Sequence, residues 1–248
     1  MQKSEMPFLD HLEELRWRII KALISVAILT IAAFAISDYV LNWLLLPAEK
    51  VNVPLSLQVL KVQAVFIIKL EIALIIGIIL SIPVILYQIW AFVAPGLHDS
   101  EKKYIWPLIF FAMVSFLTGG AFSYFIIVPY TLDFFLGLAP ANVANNIAID
   151  FYFGFLLRLI LVFGVVFELP VLSVVLSKLG LISPAFLRKY RRHAIVLFFI
   201  FAAILTPPDP TTQVLLAIPL VLLYEVTIFI SYIFAKKRKA KELAEQQS

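Results

Sequence analysis

Residues 64–93 read AVFIIKLEIALIIGIILSIPVILYQIWAFV, an apolar run whose only charged residues are Lys69 and Glu71, both near its start. About 20 apolar residues let a helix cross the hydrocarbon core of a bilayer, so this run is long enough to span one. Working outward, comparable stretches occupy 19–36, 104–129, 151–176 and 214–234, with a shorter one at 194–205 that ends at Thr206-Pro207-Pro208. The composition agrees. Of 248 residues, 62% are hydrophobic and 15% charged, where a soluble domain carries about a quarter charged. Mean hydropathy is +1.00. The chain reads as an all-α, polytopic membrane protein.

A stretch as short as 194–205 also fits a re-entrant or interfacial piece. The loop charges argue for a crossing there. With six spans, sixteen of the 20 Lys and Arg fall on one side. They are Lys3, Arg16, Arg18, Lys21, Lys102, Lys103, Lys178, Arg188, Lys189, Arg191, Arg192, Lys236, Lys237, Arg238, Lys239 and Lys241. The other side has Lys50 and Lys61, while Lys69 and Arg158 lie within spans. The positive-inside rule then places both termini in the cytoplasm. A short fifth span should thin the bilayer locally or draw polar residues inward.

Aromatic side chains fit the same topology. Trp17, Tyr87, Trp90, Tyr104, Trp106, Tyr190 and Tyr232 fall near inner ends, and Tyr39, Trp43, Tyr130 and Tyr152 near outer ends, the interfacial belt expected of Trp and Tyr. The N-terminus does not read as a cleavable signal peptide, because Asp10, Glu13 and Glu14 precede the apolar run and no small-residue cleavage site follows it. With no cysteine, disulfides are excluded and the redox compartment is unreadable. The net charge of +4 comes from the loops and points to an anionic leaflet, not to nucleic acid.

The pattern predicts one transmembrane domain, 1–235, followed by a charged and disordered cytoplasmic tail, 236–248. Residues 7–18 predict a helix with Phe8, Leu12, Leu15 and Ile19 on one face. A short surface helix is expected around Tyr39–Pro47, an irregular outer cap over 50–60, and a basic helix starting at Ser183-Pro184. Pro83, Pro107, Pro170 and Pro219 lie inside spans and can kink them. Kinked helices of unequal length predict a curved bundle with a concave face.

Soluble-enzyme signatures are absent: there is no phosphate-binding loop, HExxH, GxSxG or dinucleotide fingerprint. His11, His98 and His193 have no partner at metal-ligand spacing, so neither a metal nor a cofactor is expected, nor an enzyme. Charges inside spans are costly and therefore informative. Lys69, Glu71 and Arg158 lie within about two turns of an outer end and can snorkel. Glu168 lies deeper, just before Pro170, and Glu225 lies about three turns before the basic tail. These carboxyls read either as neutral, hydrogen-bonded groups between helices or as a polar groove for a partner helix or coupling ion. On the basic side, Asp10, Glu13, Glu14, Asp99 and Glu101 form an acidic group. Such carboxylates suit a guanidinium, which binds them through two parallel hydrogen bonds, although a solvated charge pattern is the simpler reading.

At these residues the sequence resembles the TatC family, the membrane-integral subunit of the twin-arginine (Sec-independent) protein translocase. The resemblance is carried by PFLDHLEELRWR at 7–18, SIPVILYQIWAFVAPGL at 81–97 with Glu101, FGVVFELP at 163–170, LTPPD at 205–209 with Gln213, and LAIP at 216–219. It implies a receptor in the inner membrane that binds twin-arginine signal peptides and exports folded proteins. The implied partners are single-span TatA- and TatB-type proteins within a larger, self-associating complex driven by the proton-motive force. It implies that Glu14 and Glu101, with Arg16 and Phe92, bind the signal. It places Glu168 in the membrane groove, with Thr206 and Gln213 in partner docking. It gives Pro47, Tyr124, Pro129 and Asp209 outer-face roles in translocation. Glu13 and Arg158 are departures that leave the assignment intact. The alternative is a proton-coupled small-solute transporter relaying through Glu71, Glu168 and Glu225, which the lack of a convincing internal repeat disfavours.

Overall fold

The computed structural model describes residues 8–51, 55–93, 105–140, 143–178, 182–205 and 210–246. Contacts divide the chain into two compact units, Met1–Leu45 with Lys61–Met113, and Leu46–Leu60 with Val114–Ser248. Both are helical, and the pattern of burial is that of a protein dissolved in lipid. Ile31 is 76% exposed and Phe66 57%, whereas Ser81, Ser123, Thr131 and Ser231 are fully buried. Two of these hydroxyls are satisfied by their own helix, and Ser231 pairs with Ser177 Oγ at 2.8 Å. Ser81 Oγ donates to the Gly77 carbonyl at 2.6 Å and Thr131 Oγ1 to that of Ile127 at 2.7 Å. Among the described residues, five stretches are long and apolar enough to cross a membrane: Asp10–Phe34, Ala64–Phe92, Trp106–Gly137, Ile149–Ser177 and Leu216–Ile233. The stretch expected as the fifth span forms a helix of 15 residues, Arg191–Leu205, below the usual spanning length.

The first unit is built on helices α1 (Phe8–Phe34) and α3 (Ala64–Val93), which pack along each other. The N-terminal helix and first span are thus one continuous element. Gly77 lets the two backbones meet: a Cβ there would lie 2.7 Å from the Thr30 backbone nitrogen. Helix α2 (Ser37–Glu49) follows a tight turn in which Ser37 Oγ donates to the Phe34 carbonyl at 2.8 Å. Lys69 does more than snorkel, since its ammonium lies 2.5 Å from Asp38 Oδ1.

In the second unit, strand β1 (Leu55–Gln58) pairs in parallel with β2 (Asn145–Ala148), Leu55 opposite Asn145. Helix α4 (Ile105–Phe122), whose first turns belong to the other unit, runs into a π-helical turn, Ser123–Ile127, and then α5 (Val128–Gly137). The turn has a local cause. Pro129 has no N–H to offer four residues back, and the preceding Val128 N–H donates instead to Ser123, five residues back. Helix α6 (Ile149–Val166) is broken from α7 (Leu169–Lys178) at Phe167-Glu168, ahead of Pro170. Helix α8 (Pro184–Lys189) begins where Ser183-Pro184 predicts it, with Ser183 Oγ accepting the Phe186 N–H at 3.1 Å. Helix α9 is Arg191–Leu205, and α10 (Pro210–Gln246) packs against α7 and α9.

Two expectations need correction. The cap over 50–60 is not wholly irregular, because Leu55–Gln58 is a strand. The backbone after Ala235 is not disordered, because α10 continues through its Lys-, Glu- and Ala-rich sequence to Gln246, residues that lose little rotamer freedom in a helix.

Candidate functional site

Helical spacing builds a side-chain cluster in the first unit. His11, Glu14 and Arg18 stand at i, i+3 and i+7 on α1, one face of a helix. Arg18 Nε donates to Glu14 Oε1 at 2.9 Å, and Arg18 Nη2 bonds to the same oxygen. Both donors thus converge on one carboxylate oxygen. Glu14 Oε2 is buried and has no hydrogen-bond partner among the described residues, and His11 Nδ1 is 3.7 Å from it. The ring of His11 stacks on Phe92, with centroids 4.2 Å apart and planes 16° apart. The structure therefore brings Glu14 and Phe92 into one cluster through His11. Arg16 lies on the exposed side of α1 with no ion pair among the described residues. Glu101 falls outside the described residues.

A buried acceptor with no donor costs roughly 1–3 kcal/mol. The cluster can recover that cost by admitting a cationic donor from outside. Glu14 already accepts a guanidinium, so its geometry suits a second one, while the His11–Phe92 stack forms an aromatic wall beside it.

In the second unit, Glu168 sits in the break between α6 and α7, half-buried, with Oε1 buried and unpartnered among the described residues. The break is held from outside. Ser115 Oγ donates to the Phe167 carbonyl at 2.5 Å, and Phe122 packs on Phe163 and Phe167 at 5.8 and 5.6 Å between centroids. Gly119 makes room for this contact: a Cβ there would lie 2.8 Å from Phe167 Cβ. Glu225 is not placed as a relay member, since Arg191 Nε lies 2.5 Å from its Oε1. Arg158 Nε donates back to the Gly154 carbonyl at 2.7 Å and makes no ion pair among the described residues.

The outer-face candidates partly converge. Tyr124 is buried in the π-helical turn, and half-buried Pro129 is in the first turn of α5. Pro47 is buried inside α2. Tyr152, buried on α6, hydrogen-bonds to the backbone of Ala48, beside Pro47, and lies within electrostatic reach of Tyr124. Gln213 Nε2 donates to the Phe199 carbonyl at 2.8 Å, tying α10 to α9. Thr206 and Asp209 lie outside the described residues.

Sequence reasoning missed His11, Arg18 and Tyr152. The i, i+3 and i+4 spacing of the first two around Glu14 was a readable signal. Nothing in the sequence pairs Tyr152 with Ala48, 104 positions earlier by their numbers.

Comparison with known proteins bears on what these clusters serve. The family model for the Sec-independent protein translocase protein TatC matches residues 10–219. A protein of that name from Carboxydothermus hydrogenoformans is 42% identical over 248 residues, covering 100% of both chains. Its counterpart from Aquifex aeolicus is 39% identical, over 94% of this chain and 98% of its own. A crystal structure described as the twin arginine translocase receptor TatC superposes with a TM-score of 0.83 at 39% identity, covering 90% of this chain and 99% of that one.

Proposed function

This chain belongs to the TatC family of Sec-independent protein translocase proteins, and from that premise we propose that its Glu14 cluster is where a twin-arginine signal peptide is gripped. It is a multi-pass membrane component of a protein translocase. The observation that carries the site is Glu14: one oxygen held by Arg18, the other buried beside the His11–Phe92 stack with no donor among the described residues. An incoming guanidinium supplies the missing donor and exchanges with Arg18 for the first oxygen. Glu101 contributes the second carboxylate, and Phe92 and exposed Arg16 complete the site. The arginines stay at the water–lipid border, so only apolar chain enters lipid and no bare charge crosses the core.

The remaining assignments extend this reading. The protein sits in the cytoplasmic membrane with both termini inside, and 194–205 is a sixth, short span. Glu168, held at a helix break, is the polar contact offered within the membrane to a signal or partner helix. Thr206 and Gln213 dock single-span TatA- or TatB-type partners. Pro47, Tyr124, Pro129 and Asp209 shape the outer cluster used in translocation, which the proton-motive force drives. The chain has no cysteine, so single cysteines introduced at Lys3, Ala144 and Lys239 report topology cleanly. Labelling of residues 3 and 239 from the cytoplasmic side and of 144 from the outer side is expected, and the reverse pattern removes Glu14 from the signal. The binding test is retention of a twin-arginine peptide by the full-length protein. Glu14→Gln should lose it, and retention at wild-type level rejects the site.

A further inference from the structure

Near the end of the last span, α10 presents Glu225, Ile228, Phe229 and Tyr232 at i, i+3, i+4 and i+7. They form a stripe about 10 Å long on one helix face. Opposite lie Arg188, in the last turn of α8, and Arg191, at the start of α9. These side chains enclose a cleft of about 340 Å³, within the roughly 300–1,000 Å³ of small-ligand sites. The cleft is built: Tyr224 Oη donates to the Leu187 carbonyl at 2.9 Å, which fixes α8, and hence Arg188, against α10.

The two guanidiniums are unequal. Arg191 Nε is 2.5 Å from Glu225 Oε1. Arg188 has no carboxylate partner among the described residues, and its guanidinium carbon lies 5.8 Å from the centre of the Tyr232 ring. Two guanidiniums and one carboxylate leave the cleft one positive charge in excess. The walls are not those of a site for a hydrated ion. Ile228 is buried, Phe229 is 64% exposed, and both belong to the stretch Leu216–Ile233, which is long and apolar enough to cross a membrane.

We propose that this cleft binds the phosphodiester of a phospholipid. Arg188 and Arg191 take its oxygens through forked N–H donors, and an acyl chain runs along Ile228 and Phe229. A phosphodiester carries a single negative charge, which matches the excess in the cleft. The dianion of free phosphate would leave the occupied cleft with a net negative charge, which disfavours it. Tyr232 covers the guanidinium face of Arg188 and leaves its edge to the phosphate. This site lies wholly in the second unit, involves none of the signal-binding residues, and stands or falls independently of that reading.

The test is native mass spectrometry of the full-length protein, delipidated in detergent and titrated with phosphatidylglycerol. Variants are Arg188→Gln, Arg191→Gln and, as a control outside the cleft, Arg192→Gln. Wild type and Arg192→Gln are expected to keep one tightly held lipid. Arg188→Gln, which disturbs no ion pair, should weaken that lipid about tenfold, the loss of one charge-assisted contact. Arg188→Lys should recover only part of the affinity, since an ammonium lacks the fork. Diacylglycerol should not occupy the site, and excess inorganic phosphate should not displace the lipid. Wild-type lipid binding by both Arg188→Gln and Arg191→Gln overturns the proposal. So does equal binding of diacylglycerol. Displacement by inorganic phosphate also overturns it, by making the cleft a soluble-anion site.

Discussion

Glu14 and Glu168 are both carboxylates with one buried oxygen that lacks a donor among the described residues, yet they are held by opposite means. Glu14 sits on an unbroken helix and is held by charge: Arg18, one turn along, bonds to its other oxygen. Glu168 has no cation among the described residues and is held by backbone, at a break that Ser115, Gly119 and Phe122 support from the neighbouring helix. On the proposed reading, the first arrangement is a cation site with an exchangeable occupant, and the second offers a polar group to a helix passing in the membrane. The pair then illustrates how one type of side chain can serve recognition where water supplies competing partners and positioning where it does not.

Substitutions can break or sharpen that contrast. The largest effect is expected from Glu14→Gln, which keeps shape but removes charge. Loss of one charge-assisted contact, about 1.5–3 kcal/mol, should weaken twin-arginine peptide binding roughly tenfold to a hundredfold. Glu168→Gln should leave the same titration within about twofold, because its assigned partner is not the arginine pair. Equal losses at both positions would erase the distinction. Next comes Gly119→Val, which forces atoms into Phe167 Cβ at 2.8 Å. Overpacking of this kind costs about 1–3 kcal/mol and should lower the unfolding temperature in detergent. A stability equal to wild type would show that the break does not depend on this contact. Ser115→Ala removes the donor to the Phe167 carbonyl and should cost about 0.6 kcal/mol, the typical size of such bonds in membranes. The smallest effect has the opposite sign. Arg18→Gln frees Glu14 of an i, i+4 pair worth about 0.2–0.5 kcal/mol and should raise peptide affinity roughly twofold. A fall in affinity instead would make Arg18 a positioner of Glu14 and not its competitor.

Much of this was legible beforehand, for identifiable reasons. Long apolar runs such as 64–93 have few competing readings, so the helices of both units were readable from hydropathy. The Ser183-Pro184 start was readable because capping is chemistry local to the sequence. What escaped was non-local or compensatory. Leu55–Gln58 pairs with Asn145–Ala148 across some 90 positions; LSLQ alternates apolar and polar for only four residues, and NNIA does not alternate at all. Pro129 announces a missing donor, but the sequence does not say that the chain answers with the π-helical turn at Ser123–Ile127. At the candidate site Glu14 came from the acidic group and the resemblance and Phe92 from the resemblance alone, whereas His11, which physically joins them, needed the contact of α1 with α3 to become visible.

The most direct test of the central claim crosses two changes. Binding of a twin-arginine peptide and of its twin-lysine counterpart is titrated against wild-type protein and against Glu14→Gln. If Glu14 takes the guanidinium through forked hydrogen bonds, wild type prefers arginine and the substitution largely abolishes that preference. An arginine preference of the same size in both proteins would contradict the account.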